Sequence, residues 1–129
     1  MSPISVIVIC KDSAATIERA LDSIMVQTIK PKEVVVVAAP SADGTIEILN
    51  SREGLVILNQ LGTGIGDARN FGILSAKGRY IAFLDADDEW VPNALEMQYT
   101  ALELDPSAMV AMGLLVKIEE NYLEIYNTA

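Results

Sequence analysis

The densest run of charge in the chain is Asp85-Ala86-Asp87-Asp88-Glu89, four carboxylates in five positions, placed directly after the apolar stretch Tyr80 to Leu84. Carboxylates gathered this closely repel one another unless a cation or a helix N-terminus offsets their charge. A hard divalent ion, Mg2+ or Mn2+, meets that need: it takes oxygen ligands and commonly sits on one or two carboxylates plus the oxygens of a substrate diphosphate. The acid-x-acid step of Asp85 and Asp87 thus points to a metal together with a nucleotide ligand. The competing reading is a solvated loop whose Asp88 or Glu89 favours the start of the next helix.

Other segments carry weaker signals. Gly62-Thr-Gly-Ile-Gly-Asp-Ala-Arg-Asn-Phe-Gly72 lacks the third glycine of a dinucleotide fingerprint, whose position holds Asp67, and lacks the Gly-Lys-Ser/Thr of a phosphate loop. Its glycines still permit close backbone approach, and Arg69 is placed either to reach an anionic ligand or to pair on the surface with Asp67 or Glu53. In Ser41-Ala-Asp-Gly-Thr45, Asp43 reads as a turn or cap residue before a ligand. Cys10 closes an apolar run and reads as a small buried hydrophobe. Trp90 is placed either to line a pocket beside the acidic run or to anchor the core.

These residues need elements to position them, and the apolar pattern supplies an alternation of short β-branched runs with stretches of helical period, as in an α/β domain. Ile4–Cys10, Glu33–Ala38, Leu55–Leu58 and Tyr80–Leu84 are nearly continuous apolar runs, which predicts strands covered on both faces. Ile17, Leu21, Ile24, Met25 and Thr28 form one stripe of a first helix, closed by Pro31. Asp43 to Leu49 predicts a short second helix and Asp67 to Ala76 a third. Pro92 suits the first turn of a fourth, running to Leu104. Ala108 to Ile118 predicts a last strand, and Asn121 to Ala129 is left unassigned. Residues 1–129 are expected to form a single domain.

Composition bounds the function. The 129 residues carry 9 Lys+Arg against 18 Asp+Glu, a formal charge of −9, with no histidine and one cysteine. Zinc sites built on histidine, histidine triads and internal disulfides are excluded. An acidic chain with 5% aromatics offers no basic stripe or stacking platform to a nucleic acid. The apolar start lacks a basic flank and a cleavage site and is too short to span a bilayer, so a cytoplasmic location is expected.

Taken in order, Ser5-Val-Ile-Val, Ile17-Glu-Arg-Ala-Leu-Asp-Ser-Ile with Gln27-Thr, Glu33-Val-Val-Val-Val, Ser41-Ala-Asp-Gly-Thr, Asn59…Gly64…Ala68-Arg-Asn-Phe-Gly and Gly78-Arg-Tyr-Ile-Ala-Phe-Leu-Asp-Ala-Asp-Asp resemble family 2 glycosyltransferases over residues 4 to 118. The resemblance implies the nucleotide-diphospho-sugar-binding half of the A-type, Rossmann-like fold: a three-layer α/β sandwich around a mostly parallel sheet. It implies Asp85 near the ribose or sugar and Asp87 on Mg2+ or Mn2+, with Asp85 as a second, weaker metal ligand. Arg69 is implied at the diphosphate or donor sugar. The implied partners are a nucleotide-diphospho-sugar and a saccharide or lipid-linked acceptor, the latter compatible with a peripheral membrane location.

The departures from the family pattern are equally specific. Where the family has an aromatic-bearing Pro-Thr-Tyr-Asn-like string this chain has Ile9-Cys-Lys-Asp12, and where it has Asp-Asp-Gly-Ser this chain has Ala38-Ala-Pro-Ser41. The stacking ring and the base-reading carboxylate are both replaced; the lost hydrogen bond costs about 1–3 kcal/mol, and the lost stack adds to that. Lys11 is the residue left to contact phosphate or ribose, and Asp12 is placed either as a substitute carboxylate or as a cap of the first helix. The family's catalytic domain continues well past the acid-x-acid motif, whereas this chain ends about forty residues after Asp87. The resemblance therefore implies a truncated domain whose full activity needs a C-terminal half, and no catalytic base is assigned. A degenerate, non-catalytic binding or assembly module is the alternative. Pairing of two chains through the apolar edge of the last strand is a further expectation.

Overall fold

A computed structural model describes residues 2–111 together with the strand backbones of residues 114–119 and 122–127. Its elements, in chain order, are β1 (Ile4–Cys10), α1 (Ile17–Met25), β2 (Glu33–Ala38), α2 (Thr45–Asn50), β3 (Leu55–Asn59), α3 (Ile65–Ser75), β4 (Tyr80–Asp85), α4 (Ala94–Leu104), β5 (Leu114–Glu119) and β6 (Tyr122–Asn127). The first four strands form an all-parallel sheet in the order β3-β2-β1-β4. Strand order thus reverses at β1, whose carboxyl end lies between those of β2 and β4, the place where open α/β sheets collect ligands.

The continuous apolar runs are explained by what covers the two faces. Val6, Val8, Val34, Val36 and Leu84 point to a core shared with Ile17, Leu21 and Ile24 of α1, Leu49 of α2 and Leu95 of α4. Their neighbours Ile7, Val35 and Val37 point the other way, to Ala68 and Phe71 of α3. A sheet between two helical layers is the expected three-layer sandwich. Ile7, Ile17, Leu21, Ile24 and Leu49 are fully buried, each contributing roughly 1.5–3 kcal/mol of transfer free energy. Gly72 of α3 lies so close to the sheet that a Cβ there would meet Ile7 Cγ2 at 2.7 Å. Close helix–sheet packing thus accounts for the glycine.

Several expected boundaries move. α1 ends at Met25, well before Pro31, because Val26 caps it and Gln27 and Thr28 turn to bond the chain before α4. Met25 is 42% exposed and Thr28 lies outside the helix, while Ala20 and Ser23 join the buried stripe. α3 starts two residues before Asp67. Pro92 lies ahead of the N-cap Asn93 rather than in the first turn of α4. The expected strand Ala108–Ile118 is shorter and later: residues 108–111 are irregular and β5 runs from Leu114 to Glu119. Tyr122–Asn127, previously unassigned, pairs antiparallel with β5, so one edge of that strand is taken within the chain. The remaining residues of the 112–113 and 120–121 segments and Thr128 and Ala129 lie outside the described residues.

Candidate functional site

β4 ends on Asp85, one residue later than the apolar run suggested, in parallel register with Ile9 of β1. That register puts Asp85 at the carboxyl edge of the sheet, level with Ile9 and two residues before Lys11, which lies just past the end of β1. The chain then turns sharply, with the Asp88 amide donating to the Asp85 carbonyl oxygen at 3.0 Å. The turn gathers Asp85, Asp87 and Asp88 so that one oxygen from each lies within 4.8 Å of the others, the only such trio among the described residues. Burial, then the charges of Asp87 and Asp85, push the Asp88 carboxyl above its usual value. Glu89 stands outside the trio and lines a shallow groove of about 380 Å3 with Arg19, Asp22 and Trp90.

The donor set fits a hard divalent cation. Its ligands are carboxylate oxygens only, they are exposed, and an octahedral ion with bonds near ~2.1 Å needs oxygens roughly 3–4 Å apart, a small inward adjustment from the observed spacing. The mutual repulsion felt by Asp88 is the charge that such an ion would offset.

Arg69 comes to the same place from α3. Its Nη2 lies 3.9 Å from Asp85 Oδ1, and its guanidinium stands 5.7 Å from the centre of the Phe83 ring. The alternative surface partners are not used: Asp67 instead accepts from Gln60 Nε2 at 3.0 Å, and Gln60 also donates to the Gly64 carbonyl, tying down the glycine-rich loop. Both members of the Arg69–Asp85 pair are about half exposed, so the pair adds at most about 1 kcal/mol to stability. Its effect is to aim a cation at the acidic turn.

At the ends of β1 and β2 the carboxylates are already engaged. Asp12 has a left-handed backbone with φ 45°; its carboxylate accepts from the Ala42 amide at 3.0 Å, and its own amide donates to Ser41 Oγ at 2.9 Å. It does not cap α1, where Thr16 holds the N-cap position. Asp43 accepts from Thr45 and from the Ala14 amide, and these bonds hold its carboxyl below the usual range. The turn is completed by Gly44 at φ 95°, a conformation that costs glycine little. Cys10 is buried, and desolvation with the nearby Asp43 pushes its thiol up to about 11, which makes it inert. Lys11 is exposed and forms no ion pair among the described residues. A cleft of about 410 Å3 opens between the ends of β2 and β3, lined by Ala38, Ala39, Pro40, Ser41, Ile46 and Asn59, with Gln60 and Leu61. It contains neither a carboxylate nor an aromatic ring.

The segment after the acidic turn is held from α1. The Trp90 amide donates to Ser23 Oγ at 3.1 Å. Gln27, 2% exposed, donates from Nε2 to the Ser23 and Val91 carbonyls at 3.0 and 2.7 Å and accepts from the Leu95 amide at 3.0 Å. Trp90 packs against the core on the α1 side, so it serves as an anchor and also walls the Glu89 groove. The sequence reading missed this arrangement; its signal was a polar Gln27 just past an apolar stripe.

A three-layer sandwich on an all-parallel sheet, with an acidic turn and a facing arginine at the carboxyl edge, is the fold of the A-type glycosyltransferases. The sequence matches the profile of Glycosyl transferase family 2 over residues 5–128, and the chain belongs to that family. Among its relatives is the UDP-Glc:alpha-D-GlcNAc-diphosphoundecaprenol beta-1,3-glucosyltransferase WfaP of Escherichia coli, 34% identical over 108 residues that make up 81% of this chain and 43% of that protein. A second Escherichia coli enzyme of the same printed activity, WfgD, is 36% identical over 103 residues, 77% of this chain and 40% of that one. Residues 1–349 of TarS from S. aureus, solved in complex with UDP-GlcNAc, superpose with a TM-score of 0.65 at 31% identity, covering 81% of this chain and 32% of that one. The chain thus spans less than half the length of these relatives.

Proposed function

We propose that this domain binds a nucleotide-diphospho-sugar through a divalent cation, Mg2+ or Mn2+, and presents the sugar for transfer to an acceptor hydroxyl. The observation that carries the reading is the Asp85, Asp87 and Asp88 trio at the end of β4 with Arg69 beside it. Family membership and the TarS complex with UDP-GlcNAc support the donor class. In this reading Asp87 is the principal metal ligand and Asp85 lies toward the ribose or sugar, with a share in the metal. Arg69 faces the diphosphate, and Lys11, exposed at the end of β1, reaches phosphate or ribose. When bound, the cation neutralises charge that develops on the nucleotide diphosphate as it leaves the anomeric carbon. Arg69 adds a fixed positive group on the same side, and the Phe83 ring holds its guanidinium in place.

The acceptor is a saccharide or a lipid-linked one, an assignment supported by the diphosphoundecaprenol-linked substrate in the name of WfaP. In this reading the domain works in the cytoplasm, peripheral to a membrane, which a lipid-linked acceptor is compatible with; no helix among the described residues is long and apolar enough to cross one. Residues 1–129 act as one domain, and two chains pair through the edge of β5 that β6 leaves free. Calorimetric titration with UDP-glucose, UDP-GlcNAc and a GDP-sugar, with and without Mn2+, tests the donor reading. Binding that requires Mn2+ is expected. Silence toward every donor would overturn it in favour of a non-catalytic module, and a monomer in light scattering would remove the pairing.

A further inference from the structure

The acidic turn is suspended between two fixed points, and one of them is a side chain with no place in donor binding. At its start, Asp85 is locked by the β1–β4 register. At its end, the backbone from Trp90 to Leu95 is bonded by Ser23 in the last turn of α1 and by Gln27 and Thr28 just beyond it. Ser23 Oγ accepts from Trp90, Gln27 takes both the Val91 carbonyl and the Leu95 amide, and the Thr28 amide donates to the Pro92 carbonyl at 2.8 Å. Gln27 is the centre of this clamp. Its buried amide makes one donor and one acceptor bond to a backbone segment sixty-four to sixty-eight residues away, and a further donor bond to the Ser23 carbonyl ties it to α1.

We infer that Gln27 is a positioning residue for the carboxylate turn: by fixing the Trp90–Leu95 segment it holds Asp87 and Asp88 beside Asp85, and so sets the cation affinity of a site it never touches. The inference rests on the cation reading above. Its physical basis is geometric. Between Asp85 and Val91 only five residues intervene, so a shift at Val91 passes directly to Asp87 and Asp88. One oxygen of each carboxylate lies within 4.8 Å of the others, and groups of like charge that close move apart when the far end of the turn is released. Groups that orient metal ligands from behind are commonly worth roughly 10- to 100-fold in metal affinity.

The test uses Tb3+, a hard cation that takes carboxylate oxygens, with the chain's single tryptophan, Trp90, as the sensitiser of its emission. Gln27→Leu is expected to weaken Tb3+ binding roughly 10-fold or more, and to speed hydrogen exchange in residues 85–95 while β1 and β2 keep their protection. Ser23→Ala removes only the acceptor for the Trp90 amide; it provides a milder variant and is expected to weaken binding about 3-fold. Ser5→Ala is the control: Ser5 Oγ accepts from the Gly78 amide at 2.7 Å, at the opposite, amino end of the strands, and its loss is expected to leave Tb3+ affinity unchanged. Unchanged affinity in both Gln27→Leu and Ser23→Ala would overturn the inference, as would an equal loss in Ser5→Ala or exchange that rises uniformly across the sheet. Absence of Tb3+ binding by the unaltered chain would overturn the cation reading itself, and the inference with it.

Discussion

Two groups of aspartates occupy the same edge of the same sheet and are used in opposite ways. Asp12 and Asp43, on the loops after β1 and β2, spend their carboxylates on the Ala42, Ala14 and Thr45 amides and stitch the two loops together. Asp85, Asp87 and Asp88, at and just past the end of β4, are exposed and have only the long contact to Arg69 among their described side-chain partners. A carboxylate satisfied by backbone amides is part of the fold; one left beside others of its charge is available to a cation. The pKa directions follow the same division, down for Asp43 and up for Asp88.

The sharpest way to break this contrast is Asp87→Ala, which is expected to abolish the Mn2+ dependence of donor binding, a loss of roughly 100-fold or more in calorimetry. An unchanged metal response would move the cation elsewhere. Arg69→Ala comes next, with an expected loss of about tenfold in donor affinity, ~1.4 kcal/mol, and little change in thermal stability. A loss confined to stability would return Arg69 to a surface role.

Acid separates the two groups more finely. Protonation of Asp88 removes one charge from the trio, and its carboxyl is raised above its ordinary value, so Mn2+ affinity should fall as pH drops through that raised value; Asp88→Asn should lower the affinity near neutrality and flatten that part of the fall. The folded protein takes up this proton more readily than the unfolded chain, so Asp88 itself favours the fold as pH drops. Asp43 has the reverse sign: its contribution to stability is complete above its unfolded value and is lost as pH falls through its depressed folded value. Melting curves of Asp43→Asn against pH should therefore lie below the parent near neutrality and converge with it in acid. A parallel offset at all pH values would remove the carboxylate as the cause.

The smallest effect is expected from Asp12→Asn. An asparagine tolerates the left-handed backbone and can still accept from Ala42, so donor affinity and melting temperature should both stay close to the parent. A tenfold loss in donor affinity would make Asp12 the substitute base-reading carboxylate and erase the distinction between the loops.

Much of this was legible before any coordinates. The four parallel strands announce themselves because burial on both faces demands unbroken β-branched runs, and the acid-x-acid step stands in a run with four carboxylates in five positions. The replacement of the family's aromatic-bearing and Asp-Asp-Gly-Ser strings by Ile9-Cys-Lys-Asp12 and Ala38-Ala-Pro-Ser41 is likewise local and legible in the sequence. What the sequence by itself determined is whatever depends on near neighbours: strand identity, the sandwich class, and the place where charge gathers. The tertiary structure decided the rest. α1 stops at Met25 because Gln27 bonds Val91, Tyr122–Asn127 is a strand because β5 lies beside it, and Arg69 faces Asp85 rather than Asp67. Which aspartates are structural and which are free for a ligand was decided there too. A hydrogen bond between residues about thirty or about sixty apart in the chain, such as Asp12 to Ala42 or Gln27 to Val91, leaves no periodic trace in composition, and only the folded chain brings its two ends together.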